Sequence, residues 1–410
     1  MKDRACELRV RRMLAFASTL SLMLVSCGGV NESDTPLFAA SSSGSFAARG
    51  EITGFGSIVV NGIEIFTSGA TIQVDGAGGA ESDLRLGQVV EVQGTLDNGG
   101  VTATARSVRF DANVGGPVDT LDTLGKALVV LGQPVRITTT TVMGFGDVPI
   151  DLIDLAPGFF VVVSGFVDSK GAIVATRVER RFTPSQLVVS GAIDALDPVA
   201  MRFSMNALTV EYASAAITGT LDNGVCVSAQ GDASTSGTLL ATRVDAKPCG
   251  VAAATGDRGI IAGLVNRFVS ATDFEVDRQR VTTSASTVFT AGGASAAPGD
   301  LGLDAQVRVE GTFDSSGRLQ ASKVDIVPAS SSSMTGTVES LNARDGTLII
   351  LGSSVTVNAS TRMQDASRAP VSRMRFGDLR TGDLLEVRGY PGASATSLIA
   401  TRITRRDADR

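Results

Sequence analysis

The chain has 410 residues, of which 43 % are hydrophobic, a net charge of −6 and no histidine. The hydrophobic content excludes a wholly disordered chain, because enough apolar surface is present to offset the entropy lost on folding. The absence of histidine excludes a Ser/His/Asp triad, a Cys/His dyad and a histidine-liganded zinc or iron centre within this chain. Most hydrolase and metalloenzyme mechanisms are therefore excluded.

The first residues have the pattern of an export signal. A basic segment over residues 1–12 precedes a short apolar stretch, which is too short to span a bilayer as a helix but is typical of a signal peptide. Leu24-Val25-Ser26-Cys27 follows and resembles the lipobox of bacterial lipoproteins. The resemblance implies cleavage after residue 26, acylation of Cys27 and, with Gly28 rather than Asp in the next position, sorting to the outer membrane. The alternative is an ordinary cysteine in an ordinary signal peptide.

The exported part of the chain is predicted to be acidic and tethered. Loss of residues 1–26 would remove more basic than acidic side chains, and an acidic chain is a poor nucleic-acid binder because phosphate affinity depends on clustered cations. We therefore expect no nucleic-acid partner, and we expect the lipid on Cys27 to be the contact with the membrane. The small and polar residues up to Arg49 predict a flexible tether over 27–49.

One sequence motif then occurs five times. Each copy begins with Gly, any residue and a branched apolar residue, and later has an apolar alternation that ends on Gly. Ten or eleven residues after that closing Gly comes Ala-x-x-(Val/Ile). Seven residues before the closing Gly stands another Gly, which is replaced by Asp304 in the fourth copy. The closing glycines are Gly94, Gly165, Gly231, Gly311 and Gly389. The predicted repeats are 50–112, 113–183, 187–249, 257–328 and 334–406.

Within each copy the apolar period of two predicts strands with one buried face. In copy one, the turn Asn61-Gly62 between apolar runs predicts a type I′ hairpin. Five strands, with a variable insertion between the third and fourth that could hold a short helix or a loop, resemble the order of an OB-fold; an SH3-like barrel is the nearest competitor. We therefore predict an all-β chain, a tandem array of five small OB-like five-stranded barrels whose neighbouring copies pack on one another.

A lipobox followed by tandem Gly-x-Val, Val-x-Val-x-Gly and Ala-x-x-Val patterns resembles bacterial lipoproteins built from the domain of unknown function 5666. The resemblance spans residues 50–406, and copy three departs most, because Ala229 replaces the second Val. It implies an envelope location and a small β-barrel module. No activity, cofactor or site residue comes with it.

Few residues in the sequence point to chemistry. The pairs Asp119/Asp122 and Asp194/Asp197 lie where the first strand turns, which favours turn residues over a cation site. Arginines near 180–181, 373–375 and 402–406 are interleaved with acids, which favours solvated strand ends over lipopolysaccharide contacts. With no Trp and two Tyr, an aromatic platform for bases or sugars is poorly supported, and phenylalanines such as Phe159, Phe160 and Phe268 are predicted to be core. We predict no catalytic residue, metal or cofactor.

The remaining cysteines, Cys226 and Cys249, both lie in copy three, and an even pair in an exported chain predicts a disulfide. The alternative is two buried free thiols. The functional prediction is a non-catalytic, lipid-anchored envelope protein that binds, or forms a scaffold for, a protein or polysaccharide. A histidine-free carboxylate hydrolase, such as a glycosidase with two carboxylates across a cleft, is the alternative.

Overall fold

The computed structural model describes residues 44–97, 99–182, 186–235, 237–394 and 396–407. The described residues are mostly strand, and the helices among them are four short 3-10 turns. The prediction of an all-β chain of small five-stranded barrels is therefore confirmed. Residues 1–43, with the predicted signal peptide and Cys27, lie outside the described residues.

The first barrel has the strand order that the others repeat. β1 (Gly44–Gly54) pairs with β2 (Ile58–Val60) and β2 with β3 (Ile63–Phe66), as successive antiparallel neighbours. β3 runs parallel to β7 (Thr102–Phe110), which pairs with β6 (Val89–Leu96), and β6 returns to β1. This closure, with main strands three and five in parallel contact, is the OB-like order.

The insertion between the third and fourth main strands is more regular than the sequence indicated. It holds the strands β4 (Thr71–Val74) and β5 (Ala77–Gly79) and the 3-10 helix η1 (Glu81–Asp83). β4 runs parallel to the end of β7, so the insertion extends the barrel wall.

The same plan recurs in four further barrels. The second contains β8 (Val114–Asp122), β9 (Ala127–Val130), β10 (Gln133–Phe145), β11 (Val148–Pro149), η2 (Leu152–Asp154), β12 (Phe160–Val167) and β13 (Ile173–Arg181). The third contains β14 (Leu187–Ala192), β15 (Ala195–Asp197), β16 (Arg202–Met205), β17 (Leu208–Glu211), β18 (Ala216–Thr218), β19 (Cys226–Thr235) and β20 (Thr238–Lys247). The fourth contains β21 (Arg258–Ser270), β22 (Asp273–Val276), β23 (Gln279–Thr282), β24 (Val288–Ala291), β25 (Ala294–Ser295), η3 (Pro298–Asp300), β26 (Gln306–Phe313) and β27 (Leu319–Ile326). The fifth contains β28 (Ser332–Asn342), β29 (Thr347–Ile350), β30 (Ser353–Thr356), β31 (Arg362–Asp365), η4 (Phe376–Asp378), β32 (Leu384–Pro391) and β33 (Ser397–Arg406).

The closing glycine of the motif lies at a β-bulge in every copy. In the fourth barrel the register shifts between Glu310 and Gly311, and a Cβ built on Gly311 would lie 2.0 Å from the carbonyl oxygen of Gln320. The residue that faces Gly311 is Ala321, the alanine of the motif. In the other copies the same approach is 2.0 to 2.3 Å, so only glycine fits this position.

The position seven residues before each closing glycine has a left-handed backbone. Gly87, for example, has φ +83°, and Asp304 of the fourth copy adopts φ 63° in the same place. Asn61 and Gly62 both have positive φ, 54° and 80°, as the type I′ hairpin requires.

Strand pairing joins the barrels two by two, and one of the two pairs consists of barrels that are not neighbours in the sequence. In the first and fourth barrels, Phe46–Arg49 of β1 run parallel to Arg258–Ile261 of β21. In the second and third, β8 and β14 pair antiparallel through Val114 and Val189. Barrels one to three share one apolar core. The fifth barrel has a core of its own, and most of the buried apolar residues of the fourth barrel form another separate core. Packing between repeats was predicted, but the pairing of the first with the fourth was not.

The tether prediction is wrong for its last six residues. Residues 44–49 form the first half of β1, where Phe46, Ala47 and Ala48 are buried. They are ordered because this part of β1 pairs on one edge with β6 and on the other with β21. The rest of the predicted tether lies outside the described residues.

Candidate functional site

Buried polar bonds hold the fifth barrel against the first two. The guanidinium of Arg362 binds both carboxylate oxygens of Glu51 and donates from Nη1 to the carbonyl of Thr140 at 2.8 Å. Arg402 donates to the carbonyl of Thr141 at 2.8 Å, and burial lowers its pKa to about 10. These contacts fix the relative positions of three barrels.

A cleft opens where these three barrels meet; we call it the three-barrel cleft. Its cavity volume is about 30 Å³, and the wider opening around it, open solvent included, is about 450 Å³. Its lining comes from the first barrel (Gly54, Phe55, Leu86), the second (Val142, Gly146, Asp147, Arg177) and the fifth (Met363, Gln364, Asp365, Val371, Arg373, Met374). The lining combines apolar side chains with charged ones, and junctions between domains are common positions for ligand sites.

Arg177 links the first and second barrels at the cleft. Its guanidinium is buried and donates to the carbonyls of Leu86 at 3.1 Å and Gly146 at 2.6 Å, and from Nε to Glu179 at 3.1 Å. Burial lowers the pKa of Arg177, opposed by the attraction of Glu179. Because its nitrogens are engaged within the protein, Arg177 shapes the cleft rather than offering a free cation.

Two carboxylates line the cleft in different surroundings. Burial alone would raise the pKa of Asp365, but hydrogen bonds from Arg405 and from the backbone N–H groups of Val371 and Ser367 lower it to about 2. Asp365 is therefore ionised at neutral pH and holds no proton to give to a leaving group. Asp147 is exposed; it accepts a hydrogen bond from the hydroxyl of Ser372 at 2.7 Å.

Arg373 forms the rim of the cleft. Its guanidinium lies 4.1 Å from the ring centroid of Phe55 and donates to the side chain and carbonyl of Glu81 at 3.2 and 2.9 Å. Its backbone has φ 57°, an uncommon conformation for a residue other than glycine. The prediction that the arginines at 373–375 and 402–406 are solvated strand ends is therefore wrong for Arg373 and Arg402, which bond across barrels.

The expectation that the early aspartates are turn residues is wrong for Asp119 and Asp122, which lie in β8, and for Asp197, which ends β15. Two of the four side chains bond to the turns of neighbouring hairpins. Asp119 accepts the N–H of Gly132, and Asp194 that of Asn206, both at 2.8 Å. Among the residues that the structure describes, no three or more His, Cys, Asp or Glu side chains are grouped to hold a metal ion.

A stack of aromatic and cationic side chains borders the cleft on the second barrel. The guanidinium of Arg180 lies 3.9 Å from the ring centroid of Phe159 and 4.7 Å from that of Phe182, whose centroid is 4.5 Å from that of Phe145. Gly146 and Asp147, between β10 and β11, connect this stack to the cleft. Phe160 is buried and Phe268 packs against the core of the fourth barrel, as predicted, but Phe159 is only partly buried and belongs to the stack.

The two cysteines of the third barrel are bonded in the structure. Cys226 and Cys249 form a disulfide with Cα atoms 5.0 Å apart. Cys226 opens β19 opposite Lys247, the last residue of β20, and Cys249 lies two residues further along the chain. The predicted disulfide therefore closes the end of this hairpin.

The family model described as "Domain of unknown function (DUF5666)" matches residues 49–108, 115–179, 262–325 and 335–404, more than half of the chain. The chain belongs to this family. The four matches fall on the first, second, fourth and fifth barrels, so the structural unit of a DUF5666 repeat in this chain is the closed barrel. The third barrel lies outside the matched segments but has the same strand order.

No curated protein matches the chain significantly. Across the described ranges, no helix combines the length and the apolar character needed to cross a membrane.

Proposed function

We propose that this DUF5666 protein is a non-catalytic, lipid-anchored protein of the bacterial envelope, and that its barrels form a rigid array that binds a protein or polysaccharide. The observation that carries the proposal is the three-barrel cleft. Its walls come from the first, second and fifth barrels, and buried bonds such as that of Arg362 with Glu51 hold them in place. A preformed cleft loses little conformational entropy when it binds.

Anchoring in the envelope is supported by the sequence alone. The segment Leu24 to Cys27 follows an apolar stretch in the order of a lipobox, and several acyl chains on one cysteine would give a durable anchor, at about 0.8 kcal/mol per buried CH₂. Sorting to the outer membrane rests on Gly28.

Capture with and without a blocked cleft tests the binding function. The exported chain with Cys27→Ser is immobilised and exposed to solubilised envelope proteins and polysaccharides. Val371→Trp fills the cleft from its half-exposed rim, and Val288→Trp, at a similarly exposed valine of the fourth barrel, is the matched control. We expect a component that the unblocked chain and the control retain and that the cleft variant loses. Equal retention by all three would contradict binding in the cleft.

The carboxylate-hydrolase alternative predicts a different result. Incubation with envelope polysaccharide would release new reducing ends, and Asp147→Asn, which removes the exposed carboxylate of the cleft, would abolish that release. Such a result would replace the non-catalytic proposal. We expect no release above that of the Asp147→Asn variant.

A further inference from the structure

Four of the five barrels are joined to one another through the same part of their first strand. In the first and fourth barrels, the segments that precede Gly50 and Gly263 pair with each other, and in the second and third barrels those that precede Gly116 and Gly191 do so. In every case the other edge of the segment pairs with the fourth main strand of its own barrel. The fifth barrel remains outside these two pairs.

The corresponding segment of the fifth barrel, residues 332–337 of β28, has one unpaired edge. β32 pairs with these residues on one side, and β29 pairs with β28 only from Val338 onward. No other strand that the structure describes pairs with the remaining edge, which we call the free edge. Ser333 is exposed, whereas its counterparts Val188 and Ile260 are buried in their junctions. The buried arginines that dock the fifth barrel lie on β31 and β33, so docking does not use this edge.

The free edge offers unpaired backbone groups to another strand. Val338 donates its N–H to the carbonyl of Asp383, on the side of β32, at 2.9 Å. Because the groups of successive residues in a strand point to opposite edges, those of Thr335 and Ser333 point away from β32. Natural proteins often block such an edge with lysine or proline. Residues 332–337 contain no proline and no charged residue, so the free edge is open to pairing.

An exposed apolar turn lies beside the free edge. Leu351 follows β29 and lies over Gly336, where a Cβ would be 3.0 Å from its Cγ atom, and its side chain is 66 % exposed. Its counterpart in the second barrel, Leu131, lies over Gly116 in the same way but is only 4 % exposed. The two turns differ in what covers them.

The third barrel covers the turn of the second. A Cβ built on Gly132, which follows Leu131, would lie 3.0 Å from the backbone of Ala207, in the equivalent turn of the third barrel. A Cβ built on Gly352 of the fifth barrel meets nothing within 4 Å. Leu351 is therefore exposed at a place where a formed junction would bury it.

Only one of the two existing junctions can be formed by two identical strands. In the parallel junction Ala47, three positions before the motif glycine of its repeat, faces Gly259, four positions before that of the fourth repeat. In the antiparallel junction Val114 and Val189, each two positions before its motif glycine, face one another. A two-fold rotation requires one position to face its own copy, which the antiparallel register provides and the offset parallel register does not.

We propose that two copies of this chain associate by pairing the free edges of their fifth barrels, antiparallel about a two-fold axis, in the register that joins the second and third barrels. Met334 then faces Met334 of the other copy, and the N–H of Thr335 donates to the carbonyl of Ser333 of the other copy. The same bond exists within the chain, where the N–H of Ser190 donates to the carbonyl of Asn113 at 2.8 Å. The turns at Leu351 cover one another. The proposal is independent of the binding function proposed for the cleft.

Proline substitution tests the proposal by sedimentation equilibrium of the exported chain with Cys27→Ser. Thr335→Pro removes an N–H at the free edge and no bond to β32, and proline is tolerated where an edge N–H faces solvent. We expect a dimer whose dissociation constant rises roughly tenfold or more, because the dimer loses one hydrogen bond from each copy. Thr337→Pro is the matched control and should change nothing, since Pro117 stands at this position in the second barrel, whose junction is formed.

A second variant acts on the turn. Leu351→Asp places two carboxylates against one another in the dimer and should weaken it as strongly as Thr335→Pro. The barrel should accept the substitution, because Asp277 occupies the equivalent turn position of the fourth barrel with a similar φ of 45°, against 51° for Leu351. Circular dichroism checks that each variant retains its strands.

Cross-linking tests the register directly. Met334→Cys places two thiols across the axis, in a facing pair whose Cα atoms are about 4.5 to 5.5 Å apart, so mild oxidation should give a disulfide-linked dimer on a non-reducing gel. Ser340→Cys, on the same strand, is the control and should stay monomeric on that gel, because its two copies would lie about 40 Å apart.

Several results would overturn the proposal. A parent chain that is monomeric at every concentration has no such interface, and a dimer unaffected by both Thr335→Pro and Leu351→Asp uses another surface. Dissociation by Thr337→Pro, or equal cross-linking of the Met334→Cys and Ser340→Cys variants, would contradict the register.

Discussion

Arg362 of the fifth barrel binds Glu51 of the first through two hydrogen bonds, of 2.8 and 2.5 Å, although 311 residues separate them in the chain. Both side chains are largely buried. A bidentate pair of this kind fixes orientation as well as distance. It is a principal contact by which the last repeat closes onto the first and encloses the three-barrel cleft.

Breaking this pair on one side should cost more than removing it entirely. Arg362→Leu leaves the carboxylate of Glu51 buried without its partner, and we expect the free energy of unfolding to fall by about 3 kcal/mol. The double variant Glu51→Leu/Arg362→Leu should recover most of that loss. Urea unfolding measures both, with Arg344→Leu in an exposed turn of the same barrel as control. Equal losses in the single and double variants would contradict the argument.

The bulge glycine should not tolerate even a methyl group. Gly311→Ala places a Cβ against the carbonyl of Gln320, and we expect a destabilisation of about 3 kcal/mol, at the upper end of overpacking effects. Gly299→Ala, where a Cβ meets open space in the same barrel, is the control and should change stability little. Similar unfolding midpoints for the two variants would show that the backbone moves to accommodate the methyl group.

Glu310, next to that glycine, should make stability depend on pH. Burial raises its pKa from 4.5 to about 6, against the attraction of Arg308 and Lys323. The folded state therefore holds the proton more tightly, so stability falls as pH rises from about 4.5 to 6, by about 2 kcal/mol. Glu310→Gln should unfold at higher urea than the parent chain at pH 7 and at the same urea at pH 4. A Glu310→Gln variant that is less stable at pH 7 would mean that attraction to Arg308 outweighs burial.

The disulfide of the third barrel should stabilise the chain. Closing the loop between Cys226 and Cys249 contributes about 3 kcal/mol in the chain-entropy model, and the double serine variant should lose that amount. Mass spectrometry after alkylation without reductant should find both thiols blocked in periplasmically expressed protein. Two alkylated thiols would mean that the bond does not form in the cell.

Lipidation should depend on one atom, the sulfur of Cys27. Labelled palmitate should enter the wild-type protein and be absent from Cys27→Ala, and globomycin should cause a precursor to accumulate. The Cys6→Ala variant, which changes the other cysteine of the signal region, should label normally. Label that persists in Cys27→Ala would show that the lipobox assignment is wrong.

Much of each barrel could be predicted from sequence because its determinants are local and repeated. Asn61-Gly62 sets a hairpin by its own backbone preferences, and the apolar period of two identifies the buried face of each strand. Gly94 and Ala105, eleven residues apart, meet at the bulge in the same register as their counterparts in the other copies. The hairpin register also places Cys226 near Cys249.

The relations between barrels could not be predicted in this way. Residues 44–49 form a strand because they pair with β6 on one edge and, on the other, with β21, more than 200 positions later. Arg402 was expected at a solvated strand end, and only the docking of the fifth barrel buries it, together with Arg362.

The sequence by itself thus determined the repeat and its strands, because each of these rests on backbone geometry or on the period of a short segment. Only the tertiary structure decided which barrels share a sheet, where the cleft opens and that Phe145 and Phe182 lie exposed. The physical reason is that a side chain is buried by whatever element lies over it, and the elements over these residues come from distant parts of the chain.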